Sequence, residues 1–82
     1  MEIVLPSGTF AYIRKPTLLD MALAEDKNIW TFQINLLALL TTFDGVAKDR
    51  AEIALMDLEE MIPLLRIVNE MVGQALKSKA IS

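Results

Sequence analysis

The sequence predicts a mixed α+β domain, mostly helical, in which an N-terminal β-hairpin is followed by about three helices in a small bundle. Three observations carry this. Apolar and β-branched residues flank a Pro6-Ser7-Gly8 turn; a charge-free apolar run extends from Asn28 to Phe43; and apolar residues recur at helical spacing from Leu58 to Leu76. With 82 residues the chain makes one domain, 1–82, divided into a hairpin (1–14), a helical part (17–77) and a frayed tail (78–82).

The hairpin rests on turn chemistry. Pro6 presets one dihedral and Gly8 supplies a positive φ, between Ile3-Val4-Leu5 and a return strand from Thr9 to Ile13. Ser7 belongs to this turn structurally. Pro16 then pushes Lys15 out of the helical region, Thr17 serves as an N-cap, and Asp20 sits three residues on, where the open N–H groups favour a carboxylate. A short first helix follows to about Glu25, with Leu18, Leu19, Ala22 and Leu23 as its apolar side, and Glu25-Asp26-Lys27-Asn28 breaks it.

A second helix is predicted from about Ile29 to Phe43, closed by Asp44-Gly45. At about 100° per residue, Thr31, Asn35, Ala38 and Thr42 make a narrow polar seam, and apolar residues fill most of the remaining circumference. Such a helix is buried on nearly all sides, at the centre of the domain or beneath a second subunit. Trp30 and Phe32 point about 200° apart, so both cannot face the same core, and each is either a core residue or a candidate interface residue. Residues 46–56 read as irregular, with Lys48-Asp49-Arg50 as a solvated connector. Asp57 and Glu60 have the spacing of a capping box for a last helix to about Leu76 or Lys77, and Pro63 falls on its polar side, where it kinks the helix or marks its true start. Met56, Met61 and Met71 read as core.

Composition narrows the function. Hydrophobic residues make up 54% of the chain and mean hydropathy is +0.40, high for a domain of a size that buries only about 60% of its unfolded surface. Part of that apolar surface is expected to meet another subunit. A net charge of −3 without a basic face argues against nucleic acid. The charge-free run is shorter than the roughly 20 residues that span a bilayer, so no membrane association is expected. With neither histidine nor cysteine, the usual imidazole base, thiolate nucleophile and commonest metal ligands are absent. Gly8, Gly45 and Gly73 form no phosphate loop, and the Asp57, Glu59 and Glu60 carboxylates read as helix-end charges. No catalytic, cofactor-binding or metal residue is expected, and no cofactor.

The order of the pieces carries a resemblance: Leu5-Pro6-Ser7-Gly8, a short strand, Arg14-Lys15-Pro16-Thr17 with Asp20 in the first turn, an apolar helix, Leu40-Thr41-Thr42-Phe43-Asp44-Gly45, and Ile53…Leu55-Met56-Asp57 before a last helix. It resembles the small tail assembly chaperones of long-tailed phages, especially the Mu-like type, over about four fifths of the chain. The resemblance implies a non-enzymatic protein of the bacterial host cytoplasm, absent from the mature virion. Such a protein binds the tape measure protein and helps recruit tail-tube protein; the chain's own apolar excess, and not the resemblance, leads to the expectation of a homo-oligomer. The wide apolar arc, and not the resemblance, supplies the candidate contact residues Trp30, Phe32, Leu36, Leu39 and Phe43. Two other classes fit the composition: a small structural tail component, and an acidic regulatory or antitoxin-like module with a basic partner.

Overall fold

In a computed structural model, residues 1–81 are described in fold and 1–74 in side-chain environment. The fold is α+β and mostly helical. In chain order it comprises β1 (Glu2–Val4), β2 (Phe10–Ile13), α1 (Leu18–Ala24), α2 (Ile29–Leu40), β3 (Thr41–Phe43), β4 (Val46–Ala47), α3 (Arg50–Ala54) and α4 (Leu58–Ile81). The four strands form one antiparallel sheet in the order β1-β2-β3-β4.

The expected hairpin is present. Gly8 N–H closes its turn on the Leu5 carbonyl at 2.8 Å, and Gly8 has φ of 92°, a conformation that costs glycine least. Its register sets Ile3 opposite Ala11 and Val4 opposite Phe10. The sheet grows beyond two strands because α2 ends earlier than its apolar pattern suggests. Leu40 is its last residue, and Thr41-Thr42-Phe43 continue directly as β3 against β2, pairing Ala11 with Phe43 and Ile13 with Thr41. Two adjacent threonines, β-branched and poor in helices, favour the switch. Asp44-Gly45 is correspondingly a hairpin turn and not a helix cap. Their φ values of 50° and 81° are both positive, as a type I′ connection requires.

Residues 46–56, expected to be irregular, contain β4 and the short helix α3. Asp49 caps α3 in a reciprocal box: its carboxylate accepts from Glu52 N–H at 2.9 Å, and Glu52 reaches back to Asp49 N–H at 3.4 Å. The box expected at Asp57 and Glu60 is not formed. The Asp57 carbonyl receives Glu60 and Met61 N–H, while the Glu60 carboxylate accepts from the backbone and hydroxyl of Ser7, tying the start of α4 to the first turn. α4 runs through Pro63 and on to Ile81, past the expected end near Lys77. Of the expected tail 78–82, Ser82 lies outside the described residues.

The core joins the sheet's inner face to the helices. Leu5, Ile13, Leu36, Leu37, Leu64 and Val68 are among its fully buried members. α2 is the central element, packed against α1, α3 and α4 and leading into β3. Its expected enclosure is therefore met largely within one chain. Met61 lies in this core and Met56 and Met71 pack on its margin.

Candidate protein-binding surface

The surface is built around α1, which is turned the other way from its apolar pattern. Leu18, Leu19, Ala22 and Leu23, expected to be its buried side, are exposed; Leu18, Leu19 and Leu23 show 72%, 66% and 61% of their area. The residues facing inward are Asp20, Met21 and Ala24.

Polar bonds explain the inversion. Arg14 grips the Asp20 carboxylate with two guanidinium nitrogens at 2.7 and 2.6 Å, and Thr17 donates to it from its backbone N–H at 2.7 Å and its hydroxyl at 2.9 Å. Asp20 N–H returns to the Thr17 hydroxyl at 3.3 Å, completing the capping box. These bonds hold the Asp20 pKa far below the usual carboxylate range, the Arg14 bonds being the largest cause, against burial that pushes it up. The same pairing raises Arg14. A second anchor lies one turn on, where the Asn35 amide donates to the Ala24 carbonyl at 3.0 Å and accepts from Arg50 at 3.4 Å. Asn35 was expected in a weakly polar seam; it is buried and satisfied. With its polar side committed inward, α1 has only its leucine side left for the exterior.

Of the candidate contact residues, the structure leaves Trp30 exposed at 62%, beside Ile29 at 60%, on the first turn of α2. Asn28 fixes that turn, accepting from Trp30 N–H at 2.9 Å and Thr31 N–H at 3.3 Å. Phe32 and Leu39 are half-buried against the core. Leu36 and Phe43 are core residues, exposed by 0% and 3%; Phe43 stands on β3, with Lys48 Nζ 5.6 Å from its ring centre. The five therefore do not form one contact face: helix periodicity carried past Leu40 placed Phe43 on the wrong element.

Trp30 also borders a groove of about 250 Å³ between α2 and α4, lined with Gln33, Ile34, Leu37, Met61 and Leu65. Gln33 at its edge donates to Asn69 of α4 at 2.9 Å, and its own carbonyl oxygen is buried without a partner. Sequence reasoning missed the α1 leucines as surface; the only signal available was the Thr17–Asp20 capping spacing, which ties the Asp20 carboxylate to the backbone at the helix start.

A further apolar patch lies on the outer face of the sheet, where Val4, Phe10 and Tyr12 are each more than half exposed. An acidic recess of about 400 Å³, with Asp44, Glu52, Asp57 and Glu60 at its walls, opens near the first turn. Among the described residues there is no group of three or more metal-ligating side chains, and no helix is long and apolar enough to cross a membrane. No family model, curated protein or solved structure matches the chain significantly.

Proposed function

We propose that this chain is a phage tail assembly chaperone: a non-enzymatic protein that covers apolar helical segments of the tape measure protein and helps recruit tail-tube subunits. The observation that carries the reading is the leucine ridge of α1, held outward by the part-buried bonds at Asp20 and the buried Asn35–Ala24 bond. Exposed leucines grouped on one rigid helix face are suited to bind another apolar surface, whereas scattered ones are ordinary on any protein. An amphipathic helix laid along Leu18, Leu19 and Leu23 would bury its own apolar stripe against them. Trp30 is a second anchor of the residue type that contributes most at interfaces. The arrangement of turn, cap and helix residues that resembles the Mu-like chaperones supplies the identity of the partners, and with it the bacterial cytoplasm as the place of action and absence from the virion.

Coexpression with the tape measure protein tests this. The expected result is a soluble complex that co-purifies, and its loss when Leu19 and Leu23 are both changed to serine. A tape measure protein that is soluble alone and never co-purifies would overturn the reading.

A further inference from the structure

The β1 edge of the sheet has a hydrogen-bonding pattern complementary to itself. In an antiparallel pair, alternate residues exchange both backbone bonds with the neighbouring strand, and the residues between them turn theirs the other way. The Met1 nitrogen donates to the Ile13 carbonyl at 2.8 Å, and Ile13 N–H returns to the Met1 carbonyl at 2.7 Å. Leu5 N–H donates to the Thr9 carbonyl at 2.9 Å. Ile3, opposite Ala11, completes the set that faces β2. Glu2 and Val4 thus direct their N–H and C=O groups away from β2, and β1 is one of the two terminal strands, with β4 at the other end of the sheet.

We propose that this edge pairs with the same edge of a second copy, antiparallel about a twofold axis at Ile3, joining two four-stranded sheets into one of eight strands. The axis sets Glu2 opposite Val4 of the second copy, and Val4 opposite its Glu2. Each free N–H then meets a free carbonyl, and neither carboxylate lies directly opposite the other. Pro6, the next residue in the same alternation, has no N–H, which ends the usable edge at Val4. On the outer face the row of Phe10 and Val4 continues into Glu2 and Tyr12 of the second copy. Val4, 59% exposed in the single chain, gains a cross-strand neighbour. The contact is isologous and consumes the β1 edge of both copies, so pairing through β1 stops at two, and the β4 edges lie at the far ends of the joined sheet. The inference goes beyond the chaperone reading and stands or falls independently of it.

The sequence contains no cysteine, so one introduced thiol reports the geometry. Ile3 faces its own counterpart across a non-hydrogen-bonded position, where Cα atoms are about 4.5 Å apart, at the short end of disulfide reach. Ile3→Cys is expected to form a disulfide-linked dimer on mild oxidation, and Lys27→Cys, on an exposed loop, to remain unlinked. Light scattering across a concentration series should approach twice the 9.2 kDa chain mass. Val4→Glu, which places like charges opposite each other, should weaken the dimer about tenfold, and the double variant Glu2→Lys/Val4→Glu should restore it. Val4→Pro removes an N–H that no bond within the chain uses and should weaken it similarly. A monomer throughout the series, or a dimer indifferent to Val4→Glu and without the Ile3→Cys cross-link, would overturn the proposal.

Discussion

Arg14 holds Asp20 through both carboxylate oxygens, at 2.7 and 2.6 Å, and leaves the aspartate side chain only 6% exposed. This pair, on either side of Pro16, decides which face of α1 meets the core. Replacing Asp20 by alanine removes a helix cap partner and strands Arg14. The expected cost is about 2 kcal/mol, most of it from the cap, since Arg14 is 43% exposed and its attraction is screened by solvent. Urea unfolding measures it.

The same pair sets a pH dependence. Asp20 titrates lower in the folded state than its ordinary 3.8. Its contribution is therefore complete above that value and is lost as pH falls through it toward the lower folded value. Unfolding midpoints should decline from about pH 5 downward, and Asp20→Asn should flatten the part of that decline due to this residue.

Thr41 is buried, with a hydroxyl that has no hydrogen-bond partner. Valine has nearly the same shape, keeps the strand preference and removes the unsatisfied oxygen. Thr41→Val should raise stability by about 0.5–1 kcal/mol, seen as a higher thermal midpoint. A drop of that size would mean the hydroxyl is satisfied in solution.

Leu36 and Leu19 are expected to behave oppositely. Leu36→Ala, in the core, should cost about 2–5 kcal/mol. Leu19→Ser, on the ridge, should change stability by less than about 0.5 kcal/mol and leave the circular dichroism spectrum unchanged. Equal effects of the two would place α1 the other way round.

Gly45 occupies the second central position of the β3–β4 turn with φ of 81°. An added Cβ would meet open space, so the cost of Gly45→Ala is conformational, about 1 kcal/mol. Hydrogen exchange should show loosening near Val46 before the rest of the sheet.

Much of the fold was legible in the residues. Pro6-Ser7-Gly8 located the first hairpin, Thr17 and Asp20 the start of α1, and the break at Glu25 to Asn28 the start of α2. The misreadings have physical causes. Asp-Gly closes helices and turns hairpins alike, because both need positive φ, so Asp44-Gly45 did not say which was present. Thr41 and Thr42 had the side chains of a strand but lay within an apolar run whose helical period continued through Phe43. Leu18, Leu19, Ala22 and Leu23 have the spacing of a buried face, and a one-dimensional pattern does not weigh a capped, ion-paired carboxylate against leucines. Among the five candidate contact residues, Trp30 is exposed, Phe32 and Leu39 are half-buried, and Leu36 and Phe43 lie in the core. The ridge that replaces the others became visible only when Asp20 was located inside.

The absence of a loop between α2 and β3 governs how the chain comes apart. Leu40 ends the helix, its carbonyl accepts from Arg14 N–H at 2.9 Å, and the next residue already pairs with Ile13. A disturbance that unwinds the end of α2 therefore peels the middle of the sheet with it, and fraying of the central strands releases the helix. The hairpin and the helical segment, separable on paper at residues 14 to 17, are expected to unfold as one cooperative unit. Amides of β2 and α2 should exchange in a single opening event, and cleavage between them would leave no fragment that keeps its shape.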